Sequence, residues 1–240
     1  INFGSQFTHL IARRLRALHV HAEIFPADVA PSELEKHDPS GIILSGGPSS
    51  VYDDEAPTID PKLLELGTPV LGICYGQQLM VKLLGGQVKP GESGQYGKET
   101  VTATGASPLW TGVPDEQVVW FSHGDTVADL PEGFTGVGKT DSCAYAAIAD
   151  DTRKFYGLQF HPEVVHSEFG NDILQNFARD VCADPMDWTI ERAKDVIVSE
   201  LEQEVGEGDI LLAVSGGVDS SVAAAVLHEL YPDRLHCVFV

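Results

Sequence analysis

The sequence predicts an α/β protein with a doubly wound, mostly parallel sheet, followed by one further βαβ unit. Three observations point there. Continuous apolar runs alternate with segments of helical periodicity through the first half. Several of those runs end in glycine-rich turns, as buried strands of a parallel sheet do. Around Ala183-Asp184-Pro185 the pattern breaks, and a helix, a strand, a second helix and a strand follow.

Taken in order, Leu10, Ile11, Leu15 and Leu18 recur at helical spacing, with Arg13, Arg14 and Arg16 on other faces. His21–Pro26 reads as a short strand. Gly41-Ile42-Ile43-Leu44-Ser45 is a buried strand that runs into Gly46-Gly47-Pro48. Pro69–Ile73 is another, and the helix after Cys74 carries Leu79, Met80, Leu83 and Leu84 before Gly85-Gly86 stops it. From about Val88 to Ala149, β-branched residues, glycines and turns predict several strands with hairpin-like connections. Phe155–Phe160 is a further strand, and a helix follows around Asn171–Val181. Asp187 is placed to cap a connecting helix with Ile190, Ala193, Ile197, Leu201 and Val205 on one stripe. Strand Ile210–Val214, loop Ser215-Gly216-Gly217, helix Ser220–Leu230 and the strand closing at Val240 complete a βαβ unit too small to fold alone. The expected division is therefore 1–183, a connecting helix over 184–208, and the start of a second domain over 209–240. Both ends read as cut within strands, so a longer parent chain is expected.

Composition narrows the function. A net charge of −21 repels nucleic acid phosphates and anionic membrane surfaces alike. No apolar run approaches the roughly 20 residues of a membrane span, and no signal segment opens the chain. Cys74, Cys143, Cys182 and Cys237 lie far apart with no C-x-x-C pair, against a structural zinc site or a disulfide framework. A reducing, cytoplasmic setting is the expectation, with no metal ligand set.

Gly72-Ile73-Cys74-Tyr75-Gly76 has the form of a nucleophile elbow with Cys in the Ser position. A helix N-terminus behind the thiol favours its anion. A buried Cys acting as a small hydrophobe explains the pentapeptide equally well. His161-Pro162-Glu163 shifts that balance. It ends a strand, where residues two apart share a face, so an imidazole stands beside a carboxylate as a base and its orienter require. Both motifs belong at the C-terminal edge of one sheet. Gly46-Gly47-Pro48 reaches the same edge, either as a simple turn or to aim the Gly47 N–H at an oxyanion. One such donor contributes on the order of 3 kcal/mol to the barrier. In the second unit, Ser215-Gly216-Gly217-Val218-Asp219-Ser220-Ser221 joins strand to helix with backbone N–H groups and hydroxyls that suit a phosphate. It lacks the Lys of a Walker A loop.

Together these motifs resemble the glutamine-hydrolysing GMP synthetase family over essentially the whole chain. Gly4-Ser5-Gln6, Gly46-Gly47-Pro48, Cys74-Tyr75-Gly76, Ser122-His123-Gly124-Asp125 and Gln159-Phe160-His161-Pro162-Glu163 match its class I glutamine amidotransferase domain. Ser215–Ser221 matches the loop of an ATP pyrophosphatase domain, of adenine nucleotide α-hydrolase-like fold. The resemblance implies Cys74 as nucleophile, His161 as general base and acid, and Glu163 as its orienter. It implies an oxyanion hole from Gly47 and Tyr75, and glutamine contacts from Gln78, Ser122, His123 and Gly124. It further implies that Ser215, Gly216, Gly217, Val218, Asp219, Ser220 and Ser221 hold ATP. Magnesium, xanthosine monophosphate and a homodimer then belong to the complete enzyme, and glutamine hydrolysis needs no cofactor. Three rivals stand beside it: the glutaminase of another class I amidotransferase, an ATP pyrophosphatase such as an NAD synthetase, and a non-catalytic glutamine-binding module.

Overall fold

A computed structural model describes residues 1–91 and 94–240. It divides into two units, Ile1–Asp187 and Trp188–Val240.

The first unit is an α/β layer structure around one seven-stranded sheet. In chain order its strands are β1 (Ile42–Leu44), β2 (Val70–Ile73), β3 (Gln87–Ala103), β4 (Glu116–Asp129), β5 (Thr135–Lys139), β6 (Ala147–Asp150) and β7 (Phe155–Leu158). The spatial order is β1-β2-β7-β6-β5-β3-β4. β1, β2 and β7 run parallel, with Ile73 opposite Leu158. The strands from β6 through β4 pair antiparallel, as the hairpin-like stretch from Val88 onward predicts. All four residues of β2 and of β7 are buried, which is why both read as unbroken apolar runs.

Alternation along each strand sends side chains to two cores. One face buries Ile11 and Leu15 of α1 (Thr8–Ala17) with Leu71, Ile73 and Phe121 of the sheet. The short helix α2 (Pro31–Leu34) lies opposite, and so does α3 (Tyr75–Leu83), whose Leu79, Met80 and Val81 pack on Ile42, Leu44 and Val70. α4 (Gly170–Asn176) joins the first face through Ile173 and Leu174. Helices thus cover both faces. The α/β expectation holds.

Three local expectations change. His21–Pro26 forms no strand. Asn2 donates to the Phe25 carbonyl and makes a single parallel bridge with Pro26, whose missing N–H cannot extend a ladder. The helix expected over Asn171–Val181 begins at Gly170 and widens into a π-turn over Phe177–Val181. In the second unit the cap of α5 (Ile190–Glu204) is Thr189 and not Asp187, because its side chain accepts from the Arg192 N–H.

The second unit adds β8 (Ile210–Val214), α6 (Val218–Leu230) and β9 (Leu235–Phe239). β8 and β9 pair in parallel, Ile210 with Leu235 through Val214 with Phe239. α6 starts two residues before the expected Ser220, with Gly217 at its cap. Lys194 bridges to Glu229 at 2.7 Å, tying α5 to α6. Among the described residues no helix is long and apolar enough to cross a membrane.

Candidate active site

The site lies where β1, β2 and β7 end. Cys74 follows β2 directly and caps α3 with φ 51° and ψ −107°, a conformation that side-chain-bearing residues rarely adopt. Its neighbours explain the turn. A Cβ on Gly72 would stand 2.6 Å from the Gln77 nitrogen, and one on Gly76 would stand 2.2 Å from the Leu44 carbonyl oxygen. The chain closes this tightly only with glycine at both places. The result lifts the thiol off the sheet, and its Sγ lies 3.7 Å from the Ser122 carbonyl oxygen.

His161 follows β7 and is anchored twice through its backbone. Its N–H donates to the Trp120 carbonyl at 2.9 Å, and its own carbonyl accepts from the Ser167 hydroxyl at 2.6 Å. Its Nδ1 meets Glu163 Oε1 at 2.8 Å, with both side chains almost wholly buried. The other ring nitrogen is left for Cys74. Burial opposes a charge on this imidazole, but the hydrogen bonds to Cys74 and Glu163 outweigh it and raise its pKa to about 10. The Phe7 ring packs edge-on at 5.6 Å and limits how the imidazole can turn. Glu163 is fixed from the far side, where its carbonyl accepts from Arg14 Nε of α1 at 3.0 Å.

A cleft of about 580 Å³ opens over Cys74 and His161. Gly47, Tyr75, Gln78, Ser122, His123 and Gly124 all line it, so these expected residues share one cavity. Tyr75 is the first residue of α3, where a backbone N–H has no intrahelical acceptor and is free to meet an anion. Gln78 Nε2 donates to the Asp125 carbonyl at 2.8 Å and to Gln159 Oε1 at 3.2 Å. His123 Nδ1 lies 2.6 Å from the same carbonyl. A carbonyl only accepts, so the proton sits on Nδ1, and the buried Nε2 has no partner among the described residues. Burial lowers the His123 pKa against that hydrogen bond, which leaves the ring neutral beside the charged His161.

Sequence reasoning singled out no role for Phe7, Ser50, Asp125 or Gln159. The Ser50 hydroxyl donates to the Asp125 carboxylate and ties the loop after β1 to β4 across the cleft. Asp125 and Gln159 stand inside two of the matched motifs, so spacing marked them without saying what they touch. Phe7 and Ser50 carry no local signal; only the folded chain brings them to the site.

A thiol on a strained turn, an imidazole backed by a buried carboxylate and free N–H groups at a helix start together suit acyl transfer through a covalent intermediate. The profile of the glutamine amidotransferase class-I family matches residues 1–181. The chain belongs to that family. Among its relatives, the glutamine-hydrolyzing GMP synthase of Staphylococcus carnosus is 49% identical over 240 residues, which is 100% of this chain and 47% of that protein. The enzyme of the same name from Enterococcus faecalis is also 49% identical, over 46% of its length. This class-I amidotransferase chain therefore spans about half the length of the relatives it matches. A crystal structure of a protein assigned as a GMP synthase subunit from Thermoplasma acidophilum superposes with a TM-score of 0.67. It shares 34% identity over 76% of this chain and 92% of that one. A glutamine amido transferase from Methylobacillus flagellatus superposes at 0.54, with 29% identity over 64% of each chain.

Residues 215–221 lie in the second unit of this class-I amidotransferase chain. The Ser215 and Ser220 hydroxyls are 3.2 Å apart, and Ser220 also accepts from the Ser215 N–H at 3.3 Å. Ser221 donates to the Gly217 carbonyl at 2.8 Å. Gly216 has a φ of 78°, and the whole loop is open to solvent except the half-buried Ser220.

Proposed function

We propose that this chain hydrolyses glutamine to glutamate and ammonia. The observation that carries the reading is the buried His161–Glu163 pair beside Cys74 on its strained turn, at the floor of one cleft. The Cys74 thiolate attacks the side-chain carboxamide carbon of glutamine. The oxygen of the tetrahedral intermediate takes up negative charge, which the N–H groups of Gly47 and Tyr75 receive. His161, as imidazolium, protonates the nitrogen, the C–N bond breaks, and ammonia leaves a glutamyl thioester. His161, now neutral, takes a proton from water, and the hydroxide attacks the thioester. Glutamate departs and the thiolate–imidazolium pair returns. Glu163 holds the imidazole in the orientation that both transfers use.

Gln78, Ser122, His123 and Gly124 hold the substrate in this reading. A chloroketone analogue of glutamine tests it by mass spectrometry. One adduct on Cys74, suppressed by glutamine, is expected; an adduct elsewhere, or one glutamine does not suppress, contradicts it.

The relatives named GMP synthase support a wider reading. In the complete protein the ammonia goes to xanthosine monophosphate activated by ATP and magnesium, in a cytoplasmic homodimer. Residues 1–183 then form the amidotransferase domain, 184–208 connect, and 209–240 open an adenine nucleotide α-hydrolase-like domain. The phosphate reading is supported by the Ser215 and Ser220 hydroxyls, 3.2 Å apart, lying beside the first N–H groups of α6, with Gly216 supplying the positive φ of the turn. Ser215, Gly216, Gly217, Val218, Asp219, Ser220 and Ser221 would hold the phosphate there. This chain is expected to make no GMP from ammonia, ATP and xanthosine monophosphate, and GMP formed in that assay would contradict the division.

A further inference from the structure

Three glutamines are buried behind the nucleophile: Gln77, Gln78 and Gln159. The hydrogen bonds of two of them have a single possible polarity. The Asp125 carbonyl accepts and cannot donate, so the Gln78 atom 2.8 Å from it is the nitrogen. An amide nitrogen has two hydrogens. The second points to Gln159 Oε1 at 3.2 Å. Both donors of Gln78 are thus taken, and the polar atom it has left for the cleft it lines is Oε1, an acceptor. Gln159 holds its side of this arrangement at a cost, since its own Nε2 is buried with no partner among the described residues. Turning Gln159 over would set its NH2 against that of Gln78 and leave two donors facing each other.

We propose that Gln159 is a positioning residue that, together with the Asp125 carbonyl, holds the Gln78 carboxamide with its oxygen toward the substrate. That oxygen selects an N–H donor of the bound amino acid. Without Gln159 the carboxamide is held by the Asp125 carbonyl alone, and each turn away from it presents N–H groups to a substrate whose amide and α-ammonium nitrogens also donate. The inference rests on the cleft being the glutamine site, and adds what helps hold its polarity.

The test is glutamine hydrolysis kinetics together with the rate at which iodoacetamide alkylates Cys74. Gln159→Met removes the acceptor and the unpaired nitrogen together. It is expected to fold without loss of melting temperature and to raise KM for glutamine about five- to tenfold, the span of one neutral hydrogen bond. Alkylation of Cys74, which does not use the Gln78 oxygen, should keep its rate. Gln159→Leu serves as a second apolar variant. Gln159→Glu, neutral when buried, keeps a carbonyl acceptor and should hold KM near that of the unsubstituted chain. In a Gln78→Met background, Gln159→Met should add nothing to KM. Effects of the two substitutions that multiply, a KM that Gln159→Met leaves unchanged, or turnover and alkylation slowed together would overturn the role of Gln159. Absence of Cys74-dependent turnover in the unsubstituted chain would overturn the functional reading, and this inference with it.

Discussion

Cys74 holds a backbone conformation, φ 51° and ψ −107°, of a kind that costs a non-glycine residue on the order of 1–3 kcal/mol and persists only where its surroundings impose it. The benefit is a thiol placed against His161, whose charge is held by Glu163 and Cys74 up to about pH 10. Because the folded pKa lies above the ordinary 6.5, the His161 contribution to stability is complete below pH 6.5. It fades as pH rises toward 10. The alkaline limb of kcat/KM for glutamine is expected to follow that titration, since a neutral His161 cannot protonate the departing ammonia. Glu163→Gln removes the carboxylate charge, so the limb should move to lower pH and kcat should fall roughly 10²–10⁴-fold. A pH–rate profile of both proteins checks this, and an unmoved limb would count against the pairing. The sequence announced Cys74, His161 and Glu163 because a turn and a strand end have short-range signatures. It was silent on Phe7 and Ser50, whose contacts with His161 and Asp125 span 154 and 75 positions.

The elements position the site by close backbone approach. α4 begins at Gly170, where an added Cβ would stand 1.8 Å from the carbonyl oxygen of Pro162, between His161 and Glu163. Gly170→Ala is therefore expected to cost at least about 1–3 kcal/mol and to lower glutamine turnover by shifting Glu163. At Gly105, the nearest atom to an added Cβ is 3.6 Å away, and Gly105→Ala should change stability by no more than about 0.5 kcal/mol. Thermal melts and turnover of the two variants separate these outcomes. β1, β2 and β7 were legible because burial on both faces gives continuous apolar runs, and α3 because Leu79, Met80 and Leu83 recur at helical spacing before Gly85-Gly86. The His21–Pro26 strand was misread for the opposite reason. Alternating residues satisfied the pattern, but a strand also needs a partner, and Asn2–Pro26 is the single bridge formed there.

Across the whole molecule the apolar cores are unequal. Both buried clusters consist of residues up to Val181, whereas Leu227 is the one buried residue among those described from 188 to 240. Limited proteolysis is expected to remove residues beyond about 187 first and leave a resistant first unit, read by mass. A first cut inside Ile1–Asp187 would contradict this. The charge of −21 adds a second expectation, because like charges repel in the compact state and salt screens them. The melting temperature should rise between about 0.01 and 0.5 M NaCl. The acid balance was plain from composition. The loop at Ser215–Ser221 was plain as a motif, but what it contributes depends on neighbours that local spacing does not encode.

The most direct measurement is ammonia released from glutamine by this chain and by its Cys74→Ala variant, with glutamate counted in parallel. Equal amounts of ammonia and glutamate are expected from the unsubstituted chain, with a loss to background in Cys74→Ala. Ammonia release that survives the loss of the thiol would contradict Cys74 as the nucleophile.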